Sequence, residues 1–155
     1  MRKNVSILLC LAFLCCLAVQ GKTQPVNGAS DLRTLQQQFV DLKFGMFIHF
    51  NIPTFMSDDW ADPDASPAIF NPVKLDCNQW AEAAKAAKMR YGCLTTKHHS
   101  GFCIWDTKTT GYNVMNSPLK RDVVKEYVAA FRKQGLKTML YYSILDTHHK
   151  LRPGF

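Results

Sequence analysis

The sequence predicts an α/β protein whose strands form a parallel sheet. Three short segments, residues 43–50, 91–96 and 136–143, are apolar and rich in aromatic or β-branched side chains, as buried strands are. Two segments between them, residues 76–87 and 122–131, carry apolar side chains at the i, i+3, i+4, i+7 spacing of an amphipathic helix. This alternation is typical of parallel strands joined by crossover helices.

The first element, residues 1–21, has the features of a secretory signal peptide. Arg2 and Lys3 precede an apolar run from Ile7 to Val19, and residues 1–21 contain no acidic side chain. The run is shorter than the roughly 20 residues that a spanning helix needs. We therefore expect cleavage near residue 21, export to the periplasm or the extracellular space (the lysosome in a eukaryote), and no membrane partner afterwards. An uncleaved anchor and a lipid-modified cysteine are alternatives.

Residues 22–42 are predicted to form a polar linker and an N-terminal helix, for which Asp31 is the expected cap. The helix is predicted to end at Leu42, and the first strand runs from Lys43 to Phe50. The segment 51–74 is rich in Pro, Asp and Ser and is predicted to be a loop. Loops of this length are commonly functional.

The second half repeats the pattern of capped helix and strand. Asp76 is the expected cap of one helix and Asp122 of the next, which is predicted to stop at Gly135. The strands following these helices are Tyr91 to Thr96 and Leu136 to Ser143. Residues 43–155 are thus expected to belong to one domain.

Charge and cysteine content exclude several functional classes. The net charge of +7 comes from scattered lysines and arginines without a basic run, so no nucleic-acid partner is expected. Three of six cysteines lie within residues 1–21, and the remaining Cys77, Cys93 and Cys103 form neither a disulfide framework nor a CxxC zinc motif. We expect no cofactor and no metal.

Polar and aromatic side chains follow each predicted strand. His49 ends the first strand, Lys97, His98 and His99 follow the second, and Tyr141 lies near the end of the third. Because the carboxyl ends of parallel strands lie at one edge of a sheet, these groups are expected to share a pocket. The alternative for each histidine is a hydrogen-bonded place in the core.

A metal hydrolase is a weaker alternative for this pocket. His49 has no second histidine two residues later, and His98 and His99, as neighbours on an extended chain, would point to opposite faces unless a turn intervenes. Trp60 and Trp105 fall in loops, where an indole either packs or binds a sugar face. Together with His, Lys and Tyr they favour a polyhydroxylated ligand.

Several motifs resemble the α-L-fucosidases of glycoside hydrolase family 29. They are KFGMFIHF at 43–50, Asp59-Trp60, FNP at 70–72, TTKHHSGF at 95–102 with Trp105, and YYS at 141–143. The resemblance implies that residues 43–155 form the N-terminal portion, about three βα units, of a (β/α)8 TIM-like barrel. It further implies an exo-acting hydrolase that releases terminal α-L-fucose from oligosaccharides or glycoprotein glycans with retention. FIHF, SPAIFNP and the DTHH at 146–149 resemble the branch preferring α1,3 and α1,4 linkages.

The same resemblance implies a substrate-binding role for six residues. Histidines 49, 98 and 99 would donate hydrogen bonds to fucose hydroxyls, and Asp59, Trp60 and Tyr141 would line the same cavity. The chain departs from the common pattern at Phe50, Asn51, Asp59 and Ser100, and the shorter Asp59 weakens its expected hydroxyl contact. The nucleophilic Asp and the acid/base are expected beyond Phe155; Asp106 and Asp146 are poor substitutes.

A barrel of this type needs about 250 residues, and three strands leave two open sheet edges. We therefore expect the chain to be the N-terminal part of a fucosidase and to be inactive alone, with Met46, Ile48 and Leu140 on the inner face of the sheet. The alternative is a non-catalytic or vestigial fucose-binding remnant.

Overall fold

The computed structural model describes residues 31–56, 58 and 60–150. The predicted signal peptide, the linker up to Ser30 and the side chain of Asp59 lie outside these residues. The elements are α1 (Leu32–Val40), β1 (Gly45–Ile48), α2 (Cys77–Ala86), β2 (Tyr91–Lys97), α3 (Val123–Lys133) and β3 (Lys137–Tyr142), with 3-10 turns at Ile52–Phe55, Pro67–Ile69 and Val114–Asn116. Their order is the predicted one.

The strands form one three-stranded parallel sheet in the order β1-β2-β3, which confirms the predicted parallel pairing. Cys93 of β2 pairs with Phe47 of β1 and with Met139 of β3. The register between β2 and β3 shifts between Thr95 and Lys97. Because the strands are parallel, their carboxyl ends all lie on the same side of the sheet, which we call the carboxyl edge.

The three predicted helix caps are also confirmed. The Asp31 and Asp76 carboxylates each accept hydrogen bonds from two backbone N–H groups in the first turn of the following helix, and the Asp122 carboxylate accepts one from the Lys125 N–H. Gly135, with φ of +72°, directly follows Gln134, the C-cap of α3, and allows the left-handed turn that ends the helix. No described helix is long and apolar enough to cross a membrane.

One face of the sheet packs against the helices. Gly92 lies directly against the Phe131 ring, and Leu94 is fully buried. Met46 and Ile48 pair with these two β2 positions and pack against the same core. These side chains therefore point toward the helices. The expectation that Met46, Ile48 and Leu140 lie on the inner face, the one turned toward the interior of a barrel, is wrong. Both faces of the strands are apolar, so the sequence pattern could not decide which one the helices cover.

The opposite face carries Phe47, which is 52% exposed. Leu140, although it is on the helix side with its partner Leu94, is 54% exposed because β3 is at the edge of the described sheet. The described part of the sheet is thus covered on one face only.

The long segment after β1, residues 51–74, packs against the core. Phe50, Phe55 and Phe70 meet edge to face at centroid distances of 5.2 to 5.9 Å, and Phe50 also contacts Trp80 of α2 at 5.2 Å. These contacts anchor both ends of the segment on the core. Trp60, between them, is held near the carboxyl edge of the sheet.

Replacing Gly92 with alanine should destabilise the complete protein by about 1–3 kcal/mol, because its Cβ would overlap the Phe131 ring and overpack the core. Chemical denaturation of the two proteins measures this. Gly111→Ala is the control, since a Cβ there meets only Asn116 Nδ2 at 3.7 Å. Equal stabilities of the two variants would contradict the packing of α3 on β2.

Candidate functional site

A cavity of about 510 Å³ opens at the carboxyl edge of the sheet. We call it the histidine cavity. Its lining consists of His49, Phe50, Asn51, Pro53, Thr54, Trp60, Thr95, His98 and His99. The structure therefore brings four of the six predicted site residues, His49, Trp60, His98 and His99, around one space.

His49 and Tyr141 lie on neighbouring parts of this edge. The His49 ring meets Phe47 edge-on at 4.5 Å and lies 6.1 Å from the His98 ring. Tyr141 lies 6.4 Å from His49 and pairs through its backbone with Thr95. Tyr141 is therefore beside the histidine cavity and not in its lining.

A turn directly after β2 brings His98 and His99 to the same cavity. The His98 carbonyl accepts a hydrogen bond from the Gly101 N–H at 3.0 Å, and Gly101 has φ of +85°. The two imidazole centroids are 4.6 Å apart. Adjacent side chains point to opposite faces only on an extended chain, so inside this turn the two rings can face the same cavity. Within the described ranges, no three His, Cys, Asp or Glu residues cluster as metal ligands do.

His99 is the most constrained of the cavity side chains. Its ring stacks on Trp60 with centroids 4.9 Å apart and planes inclined by 16°. Its Nδ1 lies 2.6 Å from the Ser143 hydroxyl oxygen. Its carbonyl accepts hydrogen bonds from both the N–H and the hydroxyl of Thr147. Trp60 is 60% exposed, so the indole is available as an apolar platform.

Other residues from the sequence analysis lie away from the cavity. Trp105 is near Tyr142, at 6.3 Å, and lines a groove with residues of α3. Asp106 forms a surface ion pair with Lys108 at 2.7 Å. Neither contributes to the described lining of the histidine cavity.

A buried ion pair beneath the turn was missed by sequence reasoning. Lys97 Nζ lies 2.9 Å from Asp146 Oδ2, and the two side chains are only 4% and 5% exposed. The Lys97 ammonium also sits 4.7 Å above the Tyr142 ring. The pair connects the end of β2 to the segment after β3, and its only sequence signal is a lysine following a buried strand.

The Asp146 carboxylate also explains why residue 101 is glycine. A Cβ at Gly101 would collide with this carboxylate, and the positive φ disfavours any other residue. Asp146 further accepts hydrogen bonds from the His149 N–H at 2.9 Å and from its ring. Asp146 borders a second cavity, of about 550 Å³, that shares Trp60, His98 and His99 with the histidine cavity. Its carboxylate is nevertheless buried and held by Lys97 and His149, so its role is to support the turn.

Asn51 makes a second link across the edge. Its buried Nδ2 donates to the Phe102 carbonyl at 3.2 Å, while its side-chain oxygen accepts from the Ile52 N–H. The chain after β1 is thereby joined to the chain after β2. The asparagine at position 51, where the sequence departs from the common motif, therefore has the structural role of joining these two segments.

Opposing effects set the pKa of Asp146. Burial raises it, but hydrogen bonds from the His149 N–H and from Lys97 outweigh burial, and the pKa lies below the ordinary value of 3.8. Burial raises the pKa of Cys103 to about 11, so this thiol under the turn stays protonated at neutral pH.

Comparison with known proteins identifies relatives of this arrangement. Residues 60–153 match the family model described as alpha-L-fucosidase. The plasma alpha-L-fucosidase of Rattus norvegicus is 32% identical over 155 residues, an alignment covering 82% of this chain and 34% of that enzyme. The chain spans 21 to 34% of the length of curated relatives such as this one.

Solved structures share the fold of the described part. A glycoside hydrolase 29 family member from an unknown rumen bacterium superimposes with a TM-score of 0.69 at 42% identity, covering 72% of this chain and 21% of that one. An alpha-L-fucosidase of Bacteroides thetaiotaomicron, trapped as a covalent intermediate with 2-fluoro-fucosyl fluoride, gives a TM-score of 0.68 at 31% identity. That alignment covers 79% of this chain and 32% of the bacterial one.

Replacing Lys97 with methionine should lower the free energy of unfolding of the complete protein by about 3–5 kcal/mol, because Asp146 would be left buried without its cation. Chemical denaturation measures the change. The control is Lys108→Met, which removes an exposed pair and should cost less than about 1 kcal/mol. Similar losses in the two variants would contradict a supporting role for the buried pair.

Asp146→Asn should make stability less sensitive to acid. A carboxylate whose pKa is lowered by folding stabilises the native state above its unfolded-state pKa, near 3.8, and this contribution disappears as the pH falls through the lower native value. We expect the unfolding free energy of the wild type to decline more steeply than that of the variant below about pH 4. The same pH dependence of the unfolding free energy in the wild type and the variant would contradict this expectation.

Proposed function

The chain belongs to the α-L-fucosidases of glycoside hydrolase family 29, and from this membership we propose that the histidine cavity binds a terminal α-L-fucosyl residue and that the complete protein hydrolyses its glycosidic bond. Substrates would be fucosylated oligosaccharides or glycoprotein glycans. The motifs at 47–50 and 146–149 favour α1,3 and α1,4 linkages within this proposal.

The single observation that carries the proposal is the Trp60–His99 stack beside two further imidazoles. A sugar ring has an apolar C–H face and a rim of hydroxyls, so it needs a flat aromatic surface and several hydrogen-bonding groups. Trp60 offers the surface, and three imidazoles offer ring nitrogens. The His98 centroid lies 6.1 Å from that of His49 and 4.6 Å from that of His99. The volume of about 510 Å³ is ample for one monosaccharide.

Retaining hydrolysis needs a nucleophilic carboxylate and an acid/base about 5 to 5.5 Å apart. The covalent intermediate trapped in the similar enzyme from Bacteroides thetaiotaomicron supports this mechanism for the present protein. No aspartate or glutamate is among the described residues that line the histidine cavity. In our proposal the described residues hold the sugar, and later strands of the complete barrel supply both carboxylates.

Export is the matching proposal for location. Residues 1–21 have the composition of a signal peptide, and one similar enzyme is named a plasma fucosidase. A secreted or lysosomal enzyme would meet fucosylated glycans in those compartments.

A second candidate function is fucose binding without cleavage. It is favoured by the same lack of a carboxylate among the described lining residues. Calorimetry with fucose together with an activity assay separates the two: binding accompanied by release of fucose supports the hydrolase, and binding without release supports the lectin-like protein.

We expect His98→Ala and His99→Ala each to lower kcat/KM for an aryl α-L-fucoside by about 10- to 100-fold in the complete protein. Each change would remove a hydrogen bond that strengthens in the transition state, with a contribution of about 1.4–2.8 kcal/mol. Steady-state kinetics with circular dichroism as a folding check measure the effect.

The matched control is His148→Phe. His148 stacks on Tyr112 at 3.9 Å and bonds the Pro63 carbonyl, outside the described lining of the cavity. Phenylalanine retains the stacking, so activity should stay close to that of the wild type. Wild-type kinetics in both cavity variants would refute the assignment of the binding site.

A further inference from the structure

The His99 imidazole has a fixed orientation. Trp60 covers one face of the ring, Ser143 Oγ holds Nδ1 at 2.6 Å, and the residue's own carbonyl is bound twice by Thr147. Rotating or flipping the ring would break the hydrogen bond or the stack. The Nδ1 edge is therefore occupied, and Nε2 is the nitrogen left for a ligand.

The position of the proton on this ring follows from the partners of Ser143. A serine hydroxyl has one hydrogen to donate. Ser143 Oγ lies 2.8 Å from the Leu145 carbonyl oxygen, which can only accept, so the hydroxyl hydrogen is directed there. The same oxygen must then accept from His99, which places a hydrogen on Nδ1.

The reverse arrangement is disfavoured by burial. If Ser143 donated to His99, the Leu145 carbonyl would lose its hydrogen bond, and no other described residue donates to it. Ser143 is only 4% exposed and Leu145 is half-buried, so solvent has limited access to replace this hydrogen bond. Losing this hydrogen bond would therefore favour the Nδ1–H form by roughly fivefold, a difference of about 1 kcal/mol.

We infer that Ser143 is a positioning residue that holds His99 in the Nδ1–H tautomer, so that the neutral ring accepts a hydrogen bond at Nε2 from a sugar hydroxyl. This deepens the proposed function and depends on it for the identity of the ligand. The family resemblance implied a donating His99; only the doubly protonated ring could donate from both nitrogens while Ser143 keeps its hydrogen bond to Leu145.

An accepting Nε2 would make the site selective for a free hydroxyl. An acceptor at Nε2 requires a ligand group with an O–H hydrogen. A fluorine or a methyl ether at the same carbon has no hydrogen to donate and would be rejected, although fluorine can accept weakly from a donor. The site would therefore distinguish a free hydroxyl from a capped one at this position.

The first test needs no ligand. Nitrogen NMR of the complete protein labelled in histidine, with the His99 signals assigned by a His99→Gln variant, reports which ring nitrogen carries the hydrogen of the neutral ring. We expect Nδ1–H in the wild type and in Ser143→Thr, which keeps the hydroxyl, and a shift toward Nε2–H in Ser143→Ala. The inference would be overturned if the neutral His99 ring of the wild type carried its hydrogen mainly on Nε2. This measurement is made on the wild type, so it does not depend on whether the alanine variant folds.

The second test uses monodeoxy and monodeoxyfluoro fucosides as inhibitors. The hydroxyl that His99 contacts is the one whose removal no longer weakens binding to His99→Ala, because alanine cannot form the hydrogen bond. We expect the deoxy and the deoxyfluoro analogue at that carbon to bind the wild type at least about tenfold more weakly than the parent sugar does. The two analogues should be weakened to similar extents. Recovery of binding by the fluoro analogue alone would show that His99 donates. If no fucoside binds, the proposed function fails, while the NMR result still decides the tautomer.

Discussion

The buried ion pair between Lys97 and Asp146 is the interaction on which the described site depends. Lys97 is the last residue of β2, and Asp146 lies in the segment after β3, so the pair fastens that segment to the end of β2 beyond the last backbone hydrogen bond between the two strands. The turn carrying His98 and His99 lies directly over it. Gly101 has to be glycine because the Asp146 carboxylate occupies the space of a side chain.

A buried ion pair is an expensive way to gain stability, because desolvation of both charges offsets much of their attraction. Its main effect in this protein is to fix the orientation of the groups around it. The Asp146 carboxylate accepts from Lys97 and from the N–H and ring of His149, so it has one satisfied geometry. Residues 146–149 are thereby fixed against the turn, and Thr147 reaches the His99 carbonyl. A binding site that must orient several hydroxyls benefits from such rigid support.

The sequence predicted the elements well because each is determined locally. Helix caps at Asp31, Asp76 and Asp122 depend on neighbouring N–H groups, and the strands on short apolar runs. The family motifs also indicated the histidines and Trp60 that line the cavity. The face of the sheet covered by helices was mistaken at Met46 and Ile48, since a strand that is apolar on both sides carries no signal for the choice.

What the sequence determined by itself is therefore the order of elements, their parallel arrangement and the chemical type of the groups at one sheet edge. Tertiary structure alone decided the geometry of those groups. The turn after β2 directed two adjacent histidines toward one cavity, and Ser143, 44 residues from His99 along the chain, holds the Nδ1 edge of its ring. Such contacts join residues distant in sequence, and their directions depend on packing that no local pattern records.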